Sequence, residues 1–156
     1  MRVHPLGCWL VPVLLVLAPG CKKEPESAGD GAVGTDELLG ADTDGNGVRD
    51  DLDAAIEAKP DTAVQKKALR QFAAALSGTL LAATRDGAAV REAASRLDAG
   101  LNCVFMHYDG TTAATRSTEL EKASMNTRQR INAYAKYNSA RSGSVTPLPE
   151  GDTCDR

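Results

Sequence analysis

A small all-α fold, a bundle of three to four helices, is what this sequence predicts, and two observations predict it. From Pro60 onward apolar residues recur at helical spacing, and no stretch of useful length alternates as a half-buried strand would. The clearest run is Val90, Ala94, Leu97, Leu101, Val104 and Tyr108, spaced 4, 3, 4, 3, 4, an amphipathic helix ending near Asp109-Gly110. Before it, Leu69, Phe72, Leu76 and Leu80 mark one face of a helix that starts near Asp61 or Thr62 and ends before Asp86-Gly87. A short helix over Ala54 to Lys59 stops at Pro60. A last stretch runs from about Ala113 to Ala140, with Leu120, Ile131 and Tyr134 as its larger apolar residues. Asn126 with Gln129 three residues on reads as a capping box and predicts a kink or a fresh start there. Gly143 supplies a stop, and Pro147 and Pro149 mark an extended tail that reaches Cys154.

The 156 residues are enough for one domain. Residues 1–20 stand apart from it: Arg2, then an apolar run from Leu6 to Ala18, then Pro19-Gly20 before Cys21. A short basic start, a thirteen-residue apolar core and small residues ahead of a cleavage point read as a secretory signal. The run is shorter than the roughly 20 residues that span a bilayer and is interrupted by Pro12, which disfavours a permanent anchor. Leu17-Ala18-Pro19-Gly20-Cys21 resembles the lipobox of bacterial lipoproteins, departing from it in having Ala18 where leucine is usual and in Pro19. The resemblance implies acylation of Cys21, whose acyl chains would hold the protein on a membrane; ordinary secretion is the alternative. Residues 21–37 then read as the lipid attachment and a flexible tether, since KKEPESAGDGAVGT is too polar and too rich in Gly and small residues to bury a core. Beyond it, 38–59 carry an acidic loop and its exit helix, and 60–156 the helical domain.

Charge excludes one class of partner. Residues 21–156 hold all 21 acidic side chains and 17 of the 18 basic ones, a formal charge of −4. Residues 42–53 alone contribute −4, so the rest is balanced and has no basic surplus for nucleic acid. Cysteine usage agrees with export. Cys8 lies in the signal and Cys21 in the lipobox, leaving Cys103 and Cys154 as an even pair for an oxidising compartment. A bridge between them would close a loop of about 52 residues. Neither lies in a CxxC spacing, which weighs against a metal or redox pair.

The acidic loop, D-T-D-G-N-G-V-R-D-D-L-D from Asp42 to Asp53, is the most specific feature. Calcium takes six to eight oxygens at about 2.3–2.6 Å, and a short loop supplies them only if oxygen-bearing side chains alternate around a sharp turn. Asp42, Asp44 and Asn46 stand at positions 1, 3 and 5, and Gly47 at position 6 permits the turn. Val48 would offer its carbonyl at position 7, Asp50 its carboxylate at 9 and Asp53 at 12. A polar turn that merely caps a helix needs one carboxylate; five in twelve residues repel one another unless a cation sits among them. Magnesium fits less well, because it prefers fewer carboxylates and strict octahedral geometry.

The loop resembles both the EF-hand and the thrombospondin type 3 repeat. It departs from the first in having barely one helical turn, Asp36 to Leu39, ahead of Gly40, and Arg49 at position 8 where paired loops carry an aliphatic residue. It departs from the second in having Leu52 in place of cysteine at position 11 and in occurring once. A single site without an opening helix pair suggests a structural brace filled at extracellular calcium, about 10⁻⁴ to 10⁻³ M, rather than a sensor. Leu52 is expected to staple the loop to the helical core.

Other residues carry less. His107, the only histidine beyond the signal, reads as a capping or partly buried residue near a helix end. Ser95 and Ser124 have no GxSxG-like context, and no P-loop or zinc signature is present. Asn126 to Arg130 with Tyr134 and Tyr137 could form a recognition face, but reads more simply as a capped helix with two buried rings. From the loop to Ala133-Tyr134 the arrangement is also similar to uncharacterised bacterial envelope proteins, a likeness that implies no activity. The expectation is thus a non-enzymatic calcium-binding envelope lipoprotein, membrane-held, acting as a structural or interaction module with an envelope protein as its partner. The alternative is a small secreted enzyme or enzyme inhibitor acting on envelope substrates.

Overall fold

The computed structural model describes residues 34–156, which form six helices and, among these residues, no strand. The expected signal at 1–20, the expected lipid site Cys21 and the expected tether as far as residue 33 lie outside the described residues. The helices are α1 (Thr35–Leu39), α2 (Asp50–Glu57), α3 (Ala63–Ala82), α4 (Gly87–His107), α5 (Gly110–Ser124) and α6 (Arg128–Ala140). The all-α fold is as predicted, but there are more helices than three or four. The single turn at 36–39 closes into a helix, and the stretch expected from 113 to 140 is two.

Local chemistry sets the boundaries. Thr62 and Gln65 form a reciprocal capping box, with Gln65 N donating to Thr62 Oγ1 (3.3 Å) and Thr62 N to Gln65 Oε1 (2.9 Å). Asp86 and Asp109 accept from the first free amides of α4 and α5, so both Asp-Gly pairs start helices as well as end them. The predicted box at Asn126 and Gln129 is corrected by one residue. Thr127 caps α6, accepting from Arg130 N at 3.2 Å, because both amide side chains are used elsewhere. Asn126 Oδ1 accepts from Arg130 Nη1 (2.6 Å), and Gln129 Nε2 donates to Glu37 (2.7 Å).

Helix α3 is the centre of the bundle and packs against each of the other five. It runs antiparallel to α4: Gln65 Nε2 donates to His107 O at one end (2.9 Å), and Ala82 packs beside Val90 at the other. Between them Gly100 lies against the α3 backbone, where a Cβ would stand 3.0 Å from Phe72 Cα, so glycine sets how closely the two helices approach. The predicted α3 face is buried throughout. Val90, Ala94 and Val104 of α4 are buried, while Leu97, Leu101 and Tyr108 cover the core at its edge. In α6 the inward residues are Arg130, Ala133 and Tyr137, and Ile131, one of the larger apolar residues of this stretch, is 53 % exposed. With so few apolar residues on α6, its size gave no guide to which face turns inward.

One polar network joins the α2–α3 link to α4 and α5. Asp61 accepts from Tyr108 Oη (2.9 Å) and from Arg116 Nη2 (3.1 Å). Burial pushes the Asp61 carboxyl up, but those two partners outweigh it and hold it below its usual range. The resulting stability is complete above the ordinary carboxyl range near about 4 and is lost as pH falls through the lowered value. Asp61→Asn should therefore cost about 2–3 kcal/mol at neutral pH, and its deficit relative to wild type should shrink in acid. Urea unfolding at pH 7 and pH 2.5 checks both parts, and a deficit that is constant with pH would contradict the assignment.

The tail returns along α4. Cys154 is disulfide-bonded to Cys103, with Cα atoms 5.0 Å apart, as the pairing of the remaining cysteines predicts.

Candidate metal centre

The acidic loop begins after α1 and ends in α2, and its neck is closed by Asp50 N donating to Ala41 O at 2.8 Å. Gly45 and Gly47 take φ of +71° and +82°, values that side chains with a Cβ adopt only at a cost. Two apolar residues anchor the loop: Val48 (1 % exposed) and Leu52 (2 %) both enter the core beside Ile56 and Leu69. The staple expected of Leu52 is present.

Three of the predicted ligands are gathered. Asp42, Asp44 and Asp50 each offer a carboxylate oxygen, and these lie within 4.8 Å of one another. Opposite oxygens around calcium are separated by up to about 4.6–5.2 Å, twice the bond length, so this donor set fits one such ion. The carboxylates are held by the loop itself. Asp42 accepts from Asn46 N (3.1 Å) and Gly47 N (2.9 Å). Asp44 accepts from Asn46 Nδ2 at 2.9 Å. Asp50 accepts from Thr43 N (2.8 Å) and Thr43 Oγ1 (2.6 Å). The Thr43 hydroxyl, then its amide, hold the Asp50 carboxyl below its ordinary range, keeping it an anion.

Of the remaining predicted ligands, the Asn46 and Asp53 side chains are engaged elsewhere. Asn46 Oδ1 accepts from Val48 N at 2.7 Å, so this side chain organises the loop's own backbone. Val48 is fixed by its buried side chain. Asp53 is not among the gathered three: its Oδ1 accepts from Arg70 Nε at 2.5 Å, and Arg70 also reaches Glu57 Oε2 at 2.8 Å. Thr43 and Arg70 were not singled out from sequence. Thr43 occupies a position to which the loop pattern assigns no ligand, and Arg70 lies 17 residues away on another helix.

Arg49, an exception to the EF-hand pattern at position 8, is buried. Its guanidinium makes a fork with the Asp51 carboxylate and donates to Ala123 O (2.9 Å) and Ser124 O (3.4 Å). These are carbonyls at the C-terminus of α5, where a helix lacks internal donors and favours a cation. Beside it, Arg130 donates to Leu38 O at 2.7 Å and to Glu37 O at 3.4 Å, the end of α1. Burial, and then the neighbouring Arg49 charge, lower the Arg130 pKa. The two arginines meet at Gly40 (φ +75°), where a Cβ would stand 2.5 Å from Arg49 Cδ. The loop is thereby fastened to both α5 and α1.

The aromatic segment of α6 also turns inward. Tyr137 is buried and stacks on half-buried Tyr134 at 6.0 Å, and burial pushes the Tyr134 phenol up to about 12. His107 is half-buried, with Nε2 3.3 Å from Cys154 Sγ. Among the described residues no helix is long and apolar enough to cross a membrane. Comparison with protein-family models, curated proteins and solved structures finds no match for this chain.

Proposed function

We propose that the chain is a calcium-braced envelope lipoprotein, a non-enzymatic structural or interaction module tethered through Cys21. The observation that carries the calcium part is the convergence of Asp42, Asp44 and Asp50 within one cation's reach, on a loop anchored by Val48 and Leu52. An ion there would be bound by those carboxylates and by the Val48 carbonyl, and would neutralise a segment whose formal charge is −4. Its benefit would be mechanical: it would join the start of the loop to the first turn of α2, which Arg49 already ties to α5. Asp53 would complete the set by turning from Arg70 to the ion. The lipoprotein part is supported by the lipobox-like residues 17–21 and by the polar segment that follows.

Calorimetric titration of the protein with calcium tests the site. One ion should bind with a Kd of about 10⁻⁴ to 10⁻³ M, and Asp44→Ala should abolish binding. Arg70→Gln should tighten it several-fold, since Asp53 would no longer be held by an internal cation. Absence of binding to wild type would refute the calcium reading, whereas unchanged affinity in Arg70→Gln would remove only Asp53's role.

A further inference from the structure

Cys103 and His107 lie four residues apart on α4, which puts them on the same face one turn from each other. The returning tail brings Cys154 to that face. The two sulfurs and a ring nitrogen of His107 all lie within 4.8 Å of one another, with Nε2 3.3 Å from Cys154 Sγ. Sequence spacing conceals this set, because the third member arrives from a segment 47 residues beyond His107.

The tail is held there by more than its disulfide. Thr153 Oγ1 donates to Ala99 O (2.8 Å) and accepts from Asn102 Nδ2 (3.2 Å), which also reaches Gly151 O (3.0 Å). Gln71 of α3 donates to Thr153 O (2.8 Å) and accepts from Asp155 N (3.0 Å). None of these five bonds involves sulfur. They fix the residues on both sides of Cys154 against α3 and α4, so its thiol would remain beside Cys103 and His107 once the disulfide is opened.

From this geometry we propose a second, redox-gated metal site: in the reduced protein Cys103, His107 and Cys154 bind one zinc-class divalent ion, with a fourth position open to water. Opening the disulfide takes two electrons and two protons from a dithiol reductant, which itself closes to a disulfide; both sulfurs become thiols. The metal then displaces the two thiol protons to solvent and is held by two thiolates and a neutral imidazole. Tetrahedral zinc, with bonds of about 2.3 Å to sulfur and about 2.0–2.1 Å to nitrogen, separates nitrogen from sulfur by about 3.5 Å. The observed 3.3 Å between Nε2 and Sγ is close to that edge. The sulfurs need only rotate apart, and Cys154, half-buried in an extended tail, has room to do so. Disulfide and metal exclude each other, so oxidation would expel the ion. Thiolate and imidazole select a softer metal than the oxygen donors of the acidic loop, and the two sites are independent.

The test uses the full chain carrying Cys8→Ser and Cys21→Ser, leaving only the two thiols in question. A phosphine reductant, which does not compete for metal as a dithiol would, is added, and the protein is titrated with cobalt(II). The reduced protein should bind one cobalt, with thiolate-to-metal absorption in the near ultraviolet and tetrahedral bands in the visible, both bleached by zinc. The oxidised protein should show neither. His107→Ala should weaken binding at least about tenfold. If that variant loses its far-ultraviolet helical signal, His107→Gln serves for the same comparison. Absence of thiolate bands in the reduced protein, unchanged affinity without His107, or loss of helical signal on reduction would each overturn the proposal.

Discussion

Replacing Arg49 with methionine should lower the unfolding free energy by about 3 kcal/mol, although the residue sits in an acidic surface loop. The stem volume is largely preserved in this variant, so the loss reports on the guanidinium. Removing it leaves Ala123 O and Ser124 O without their donor at the end of α5 and frees the Asp51 carboxylate. The Asp51 carboxyl is held below its usual range chiefly by its hydrogen bond to Arg49, so in the variant its pKa should rise. Arg49→Lys should recover only part of the stability, because one ammonium cannot form the fork with Asp51 and reach both carbonyls. Equilibrium denaturation of the three proteins measures this. A deficit below about 0.5 kcal/mol for methionine would place Arg49 among ordinary surface charges.

Cys154→Ser is expected to cost about 4 kcal/mol, the value the chain-entropy description gives for cross-linking residues 51 apart. The tail's hydrogen bonds to Gln71, Asn102 and Ala99 survive the change, so the helices should stay folded at room temperature while the melting temperature drops by about 15 °C. Adding reductant to the wild type in chelator should reproduce the same loss, and adding it to the variant should produce none. A variant that melts with the wild type would mean that the noncovalent contacts alone hold the tail.

The sequence makes the long helices legible because their cores are apolar and periodic. The spacings that mark α3 and α4 name residues that are buried or at the core edge, and Thr62, Asp86 and Asp109 are local caps with local signals. Helix α6 is less legible for a physical reason: its inward face is built from an arginine, an alanine and a tyrosine, and its largest aliphatic residue points outward. The acidic loop divides in the same way. Its alternating carboxylates and glycines are written within twelve residues, and Asp42, Asp44 and Asp50 converge. What fastens the loop comes from elsewhere: Arg70 on α3, the carbonyl ends of α5, and Arg130 on α6 closing over Gly40. Contacts at separations of 17 to 92 residues leave no local pattern to read.

Thermal unfolding in calcium against chelator tests the calcium brace most directly. At 10 mM calcium, a site with a Kd of about 10⁻⁴ to 10⁻³ M should add about 1.4–2.7 kcal/mol by mass action, a rise of about 5–10 °C in melting temperature. Asp44→Ala should melt at one temperature in both conditions. If the wild-type protein also melts identically in calcium and in chelator, the brace is contradicted.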